Sequence, residues 1–155
     1  MDARETIGII GEHFVREFYN HNFILSDDKF DNVKDGTLGH LTGEVKCMTK
    51  IFNYGEYWLE TNQFRKVTSV DLLFIVDIPL WSKDGCDIYL CTNNSQLRIE
   101  SRVRDGRSLP TVIIPEKKLL KLTTLKNDDR IQTIIDMSDS LSPWRRKKKE
   151  GMIYA

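Results

Sequence analysis

The most constraining feature of this sequence is the unbroken apolar run 72–76, "LLFIV", inside "DLLFIVDIP" at 71–79. A strand with one face in water alternates apolar and polar residues, so a continuous apolar run predicts a strand covered on both faces. Pro79 ends the run, because proline cannot donate a hydrogen bond to a neighbouring strand. The chain is therefore expected to place this strand inside a sheet with other elements on either side.

Hydrophobic periodicity predicts the other elements. Apolar residues three to four positions apart predict a helix over 4–21, and shorter patterns predict strands over 22–25, 29–33 and 40–49. The last two strands are predicted to form a hairpin through the turn Asp35-Gly36. Further predictions are a helix over 56–67, strands over 86–92, 97–103 and 110–114, and short helices over 115–125 and 128–141. This order predicts an α/β fold with a central mixed β-sheet flanked by helices.

Length and cysteine content limit the class of protein. The 155 residues predict a single domain over 1–140, followed by a flexible basic tail over 141–155. No apolar run approaches the roughly 20 residues that cross a bilayer, and the N-terminus lacks a signal-peptide pattern. The three cysteines have no metal-binding spacing. They predict reduced thiols in the cytoplasm, which is the host's if the protein is viral.

The segment "GEVK" at 43–46 carries the candidate chemistry. In a strand, Glu44 and Lys46 project to one side and Val45 to the other. The predicted hairpin brings Asp31 towards Glu44, and two neighbouring carboxylates repel each other unless a cation lies between them. Oxygen ligands of this kind suit Mg²⁺ or Mn²⁺. Lys46 is then placed to orient a water that attacks a phosphorus atom.

Alternative interpretations of these residues remain open. An acid followed two positions later by lysine also occurs at 27–29 and 116–118, but only Glu44 and Lys46 lie in a predicted strand. The two residues would also be explained as a solvated pair on an open sheet face. Asp35 is the alternative metal ligand to Asp31. It is the less favoured of the two because it belongs to the predicted turn.

Asp31 followed by Glu44-Val45-Lys46 resembles the PD-(D/E)XK nuclease superfamily, whose core order is helix, three-stranded meander, helix and strand. The resemblance implies that Asp31 and Glu44 bind the metal, that Val45 lends its backbone carbonyl, and that Lys46 is catalytic. Phe30 stands where the motif has proline. The resemblance covers about half of the chain and leaves residues 93–155 unassigned.

The first helix, "GIIGEHFVREFY", is similar to that of the Holliday-junction-resolvase branch, which implies a metal ligand at Glu12. Gln63 is the candidate for an accessory residue that some members carry. The resemblance therefore implies a Mg²⁺-dependent (or Mn²⁺-dependent) homodimeric endonuclease that hydrolyses phosphodiester bonds of double-stranded or branched DNA. A restriction or repair nuclease, a non-catalytic nucleic-acid-binding module and an unrelated α/β interaction domain are the alternatives.

Charge is distributed unevenly although the net charge is zero. The tail 141–155 carries a balance of +4, so the other 140 residues carry −4. A basic tail of this kind adds affinity for nucleic acid independently of base sequence. The candidate phosphate-binding residues are Arg145, Arg146, Lys147, Lys148 and Lys149.

Overall fold

Two sheets and three helices make up the computed structural model, which describes residues 3–27, 33–48, 55–77, 86–126 and 128–141, with the backbone alone for 138–141. The helices are α1 (Ala3–Phe18), α2 (Phe64–Ser69) and α3 (Asp129–Leu141). The strands are β1 (Phe23–Leu25), β2 (Gly36–Leu38), β3 (Leu41–Met48), β4 (Glu56–Leu59), β5 (Leu72–Asp77), β6 (Cys86–Cys91), β7 (Arg98–Arg104), β8 (Arg107–Pro115) and β9 (Leu119–Leu125). Single 3-10 turns occupy Thr61–Gln63, Asn94–Gln96 and Glu116–Lys118.

The larger sheet has six strands in the order β1-β2-β3-β5-β6-β9. Its strands β3 and β5 run parallel, and the other neighbours are antiparallel. The smaller sheet has the order β4-β8-β7. The predicted α/β fold with a mixed sheet and flanking helices is confirmed. None of the described helices is long and apolar enough to cross a membrane.

Strand β5 is covered on both faces, as its unbroken apolar run predicts. Phe74 and Val76 pack with α1 and α3, and Leu73 and Ile75 pack with α2 and the smaller sheet. All four side chains have no exposed surface. Because these buried side chains are closely packed, the paired strands β3 and β5 form a rigid support for the side chains that project from them.

Two segments that the sequence predicts as helices contain strands instead. Residues 56–59 form β4, in which the fully buried Tyr57 pairs with Ile114 of β8. The predicted helix over 56–67 was wrong for its first part, because it merged the apolar residues of β4 with those of the shorter α2, whereas residues 64–67 do lie in a helix. Residues 119–125 form β9, which pairs with β6. The prediction over 115–125 was wrong because pairing with the free side of β6 outweighed the helix propensity of its leucines and lysines.

The hairpin before the candidate site turns later than predicted. The turn lies at Gly39 and His40, with Gly39 at a φ of 62°, and Gly36 already belongs to β2. The predicted turn at Asp35-Gly36 was therefore wrong. The predicted strand 29–33 lies outside the described residues except for its last position, which is a bend. Helix α1 ends at Phe18, three residues before the predicted end at 21.

Glycines fix the register of this hairpin against an aromatic ring. Gly36 pairs with Gly43 across β2 and β3. A Cβ atom on either glycine would lie 2.7–2.8 Å from the ring of the fully buried Phe23. Larger residues would push the ring or the strand away, so the pairing that places Glu44 depends on two residues without side chains.

Candidate functional site

Strand β3 delivers Glu44 and Lys46 to the same face. Glu44 pairs with Leu73 and Lys46 with Ile75 of the parallel strand β5, without a shift of register at Gly43. The spacing of two residues therefore places both side chains on one face of the strand, as the sequence predicts. Val45 faces the opposite way, into the core that α1 covers.

Glu44 is a buried carboxyl group between two lysines. Its residue surface is 1% exposed. Oε1 lies 3.8 Å from Nζ of Lys46, and Oε2 lies 3.0 Å from Nζ of Lys66 in α2. Oε2 is buried, and no donor among the described residues reaches it with hydrogen-bond geometry. A buried carboxylate of this kind is costly unless cations compensate its charge.

Asp35 is the acid that the structure places next to Glu44. Its backbone N–H donates to the carbonyl of Gly43 at 2.8 Å, which extends the pairing of β2 and β3 by one residue. Its Oδ2 accepts a 2.8 Å hydrogen bond from the backbone N–H of Val45. Its Oδ1 lies 3.6 Å from Nζ of Lys66. Asp35 and Glu44 therefore share one ammonium group.

Lys46 is held by a side chain of the 3-10 turn that precedes α2. Its ammonium donates a hydrogen bond of 2.6 Å to Oε1 of Gln63. The same ammonium lies 3.8 Å from Oε1 of Glu44. The amide oxygen of Gln63 thus fixes the direction of Lys46 without neutralising its charge.

The electrostatics of the cluster favour protonated acids. Burial first, and then a hydrogen bond and charge repulsion from Asp35, raise the pKa of Glu44 to about 8, against the pull of Lys46 and Lys66. Burial and the charge of Asp35 raise the pKa of Glu12 to about 7. Burial alone would lower the pKa of Lys66, but the carboxylates of Glu44 and Asp35 outweigh it and raise that pKa.

The donor chemistry of this cluster fits a hard divalent cation. Asp35 and Glu44 offer carboxylate oxygens to a common positive group, and the pKa of Glu12 responds to Asp35, Lys66 and Lys46. Oxygen donors of this type bind Mg²⁺ or Mn²⁺. In the described ranges, no three side chains of histidine, cysteine, aspartate or glutamate are already arranged around a metal position.

Several predicted site residues lie outside the described residues, namely Asp31 and the basic residues Arg145, Arg146, Lys147, Lys148 and Lys149. The other predicted residues, which are described, lie close together: Glu12 in the second half of α1, Glu44 and Lys46 in the middle of β3, and Gln63 in the 3-10 turn before α2. The roles of these residues, and of the Val45 carbonyl, stay predictions.

Lys66 is the residue that sequence reasoning missed. The signal was its spacing of three from Gln63, which places both residues on one side of a helical turn. Asp35 was the less favoured alternative because of its predicted turn, and that turn is wrong.

The smaller sheet carries a second set of basic residues with different contacts. Arg102 makes two hydrogen bonds to Glu56, at 3.0 and 2.9 Å, and Arg104 donates to the carbonyl of Pro110 at 3.1 Å. Arg98 is exposed and lines an open cavity of about 710 Å³ with Lys117. The arginines of β7 are thus partly engaged in holding the sheet together.

Comparison of the chain with family models, with curated proteins and with solved structures found no match. The fold and the site define this chain as a mixed α/β protein with a buried acid–lysine cluster on one face of the inner strands of its larger sheet.

Proposed function

We propose that this protein is a Mg²⁺-dependent or Mn²⁺-dependent endonuclease that hydrolyses phosphodiester bonds of DNA. The observation that carries the proposal is the convergence of Glu44, Lys46, Asp35 and Gln63, which come from three separate parts of the chain. A solvated surface pair does not explain a carboxyl group that is 1% exposed.

The order of elements supports a restriction-endonuclease-like core. Helix α1 is followed by β1, β2 and β3, then by α2 and β5, with β4 inserted before α2. Strands β3 and β5 are parallel neighbours, so the strand that carries Glu44 lies inside the sheet. This is the order of helix, three strands, helix and strand that the sequence resemblance implies.

Each side chain of the cluster has a distinct role in this proposal. Glu44 and Asp35 would hold the metal, with Glu12 as a third oxygen donor and Asp31 as the ligand that the sequence alone predicts. A bound divalent ion would supply Lewis-acid chemistry, lowering the pKa of a water and neutralising phosphate charge. Lys46 orients the attacking water, and Gln63 orients Lys46.

The substrate and assembly follow from the same proposal. Branched DNA is the proposed preferred substrate, and a homodimer is the proposed assembly, because a junction-resolving enzyme cuts two strands symmetrically. Phosphate contacts would come from the basic tail and from the exposed Arg98 of β7. Sedimentation of the free protein and of its junction complex tests the dimer.

The deciding experiment measures cleavage of plasmid, linear, single-stranded and four-way-junction DNA with Mg²⁺, Mn²⁺ or EDTA. Wild type is compared with Glu44→Gln and Lys46→Met, and with the exposed control Lys117→Met. We expect wild type and Lys117→Met to cleave only when the metal is present. Glu44→Gln and Lys46→Met should have lost cleavage. Equal cleavage by Lys46→Met would identify a contaminating nuclease or the wrong site.

A non-catalytic nucleic-acid-binding module is the second candidate. One observation favours it, because Lys66 already compensates both Glu44 and Asp35 without a metal. This candidate predicts DNA binding without turnover, and no rise in melting temperature with Mg²⁺ or Mn²⁺. A rise that Glu44→Ala abolishes would favour the enzyme, since only binding to the native state stabilises it.

A further inference from the structure

We propose that Lys66 acts as an internal substitute for the metal, its ammonium occupying the place of the cation between Glu44 and Asp35, so that a divalent ion must displace it. This inference rests on the proposed metal site. It adds a residue that regulates how readily that site is filled.

The geometry places Lys66 between the two acids. Its Nζ lies 3.0 Å from Oε2 of Glu44 and 3.6 Å from Oδ1 of Asp35. These oxygens belong to β3 and to the residue before β2, so a third element, α2, supplies the charge that joins them. A cation between two carboxylates relieves the repulsion that would otherwise separate them.

The backbone of α2 is fixed, whereas the side chain of Lys66 has room to change. Val67 is fully buried among Leu73, Ile75 and residues of the smaller sheet. The amide of the buried Asn94 donates 2.8 Å hydrogen bonds to the carbonyls of Val67 and Val70. Lys66 itself is 20% exposed. Its four-carbon stem can therefore withdraw the ammonium without moving the helix.

The balance of charge favours exchange for a divalent ion. Among the described residues of this cluster, Glu12, Asp35 and Glu44 carry three negative charges when ionised, and Lys46 carries one positive charge. Without Lys66 the cluster has a charge of −2, which one divalent ion neutralises. With Lys66 in place the charge is −1, so an added divalent ion would leave the cluster positive.

A metal ion can also replace the contact that Lys66 makes with Glu44. Oε2 of Glu44 is buried, yet the described residues offer it no hydrogen bond of good geometry, although the ammonium is near. The attraction between Lys66 and Glu44 includes the positive charge of the ammonium, which a metal ion supplies as well. Metal binding to the free protein is then a competition between the ammonium and the ion.

The test measures Mn²⁺ binding to the full chain without nucleic acid, from the signal of free Mn²⁺ in electron paramagnetic resonance. Lys66→Met is compared with wild type, with Lys66→Arg, which keeps the charge, and with Arg65→Met. Arg65 is an exposed cation on the same helix and controls for general loss of positive charge. We expect Lys66→Met to bind Mn²⁺ roughly tenfold more tightly than wild type. Lys66→Arg and Arg65→Met should stay near wild type.

Stability gives an independent readout. Without metal, Lys66→Met should melt at a lower temperature than wild type, because Glu44 and Asp35 lose their shared counter-charge. With Mn²⁺, its melting temperature should rise by more than that of wild type. Lys66→Gln replaces Lys66→Met if the latter does not fold, since its amide can still donate to Asp35.

Failure of the two proposals can be told apart. If wild type binds Mn²⁺ and the Lys66 variants bind it equally or more weakly, the metal site stands and the role of Lys66 is wrong. If neither wild type nor Lys66→Met binds Mn²⁺ at millimolar concentration, the proposed metal site falls and the substitution by Lys66 falls with it. A similar tightening in Arg65→Met would also overturn the role of Lys66.

Discussion

The ammonium of Lys46 donates a 2.6 Å hydrogen bond to the side-chain oxygen of Gln63. The two residues come from different elements, β3 and the 3-10 turn that leads into α2. A lysine has four side-chain torsions and moves freely unless it is held. Gln63 therefore keeps Lys46 directed at the oxygen of Glu44 that lies 3.8 Å away.

Gln63→Leu should lower kcat for DNA cleavage by roughly tenfold, because partners that only orient a functional group usually contribute about 10–100-fold. KM should change little, since Gln63 is proposed to act on Lys46 and not on the substrate. Steady-state kinetics at saturating Mg²⁺ measure both constants. Asn62→Leu is the matched control, because the exposed Asn62 lies in the same turn. A loss of the same size in both variants would assign the effect to the turn.

The buried Glu44 should make the metal-free protein less stable as the pH rises. The pKa of Glu44 is 4.5 in the unfolded chain and about 8 in the folded protein, mainly because of burial. Between these values the folded state holds a proton that the unfolded state has released, so the free energy of unfolding falls with rising pH. Full ionisation of Glu44 corresponds to a loss of at most about 5 kcal/mol.

Glu44→Gln replaces the titrating carboxyl group with a neutral amide. The free energy of unfolding should then fall less steeply between pH 4.5 and 8. Urea unfolding in EDTA, repeated across this range, measures the difference between variant and wild type. Glu12 contributes a similar slope in both proteins, but only between pH 4.5 and about 7, because its pKa is raised to about 7. The exposed Glu60 provides the control Glu60→Gln, which should run parallel to wild type. Parallel profiles for Glu44→Gln would show that Glu44 ionises normally.

Two glycines of α1 should respond oppositely to the same substitution. A Cβ atom on Gly8 would have no neighbour within 4 Å, whereas one on Gly11 would lie 2.8 Å from Sγ of Cys47 in β3. Gly8→Ala should raise the free energy of unfolding by about 0.5–1 kcal/mol, the difference in helix propensity. Gly11→Ala should lower it by about 1–3 kcal/mol through overpacking.

Gly11 also sets the distance between α1 and the site, because it precedes Glu12. Gly11→Ala should therefore weaken Mn²⁺ binding beyond its effect on stability, while Gly8→Ala should leave it unchanged. Urea unfolding and Mn²⁺ titration of the same samples separate the two effects. Equal stabilisation by both alanines would mean that α1 does not approach β3 as closely as the structure shows.

The predictable parts of this fold are those whose pattern is local. The run 72–76 is apolar throughout, and it is buried on both faces of β5. The spacing of two residues between Glu44 and Lys46 is also a local pattern. It predicts that both side chains lie on one face of the strand, as they do in β3. By contrast, residues 119–125 combine four leucines and one lysine, which favour a helix, with two threonines, and only pairing with β6 made them a strand.

The rest of the site depends on contacts between distant residues. Asp35 reaches Glu44 because the turn lies at Gly39 and not at Gly36, a shift that moves the start of β2. Lys66 reaches both acids because the distant residue Asn94 holds the backbone of α2 in place. The spacing of three between Gln63 and Lys66 is a local signal that both side chains share one side of a helical turn. It carries no information about Asp35 or Glu44, so the contacts of Lys66 with these two acids were not predictable from the sequence.

Truncation after Leu141 tests whether the basic tail contacts DNA, as the sequence predicts. Helix α3 ends at this residue, so the described fold is kept. The truncated protein should bind every DNA sequence more weakly, because contacts to phosphates carry no base information. The slope of log K against log salt should fall by roughly 0.9 for each phosphate that the shortened chain no longer neutralises. Binding titrations at several salt concentrations measure the slope.

Single-turnover cleavage at saturating protein should keep its rate in the truncated protein, because the tail supplies affinity and the acid–lysine cluster supplies chemistry. A full-length control with Arg145, Arg146, Lys147, Lys148 and Lys149 changed to glutamine separates charge from length. It should match the truncation in both slope and rate. An unchanged slope would place the phosphate contacts elsewhere, with Arg98 beside the open cavity as the next residue to test.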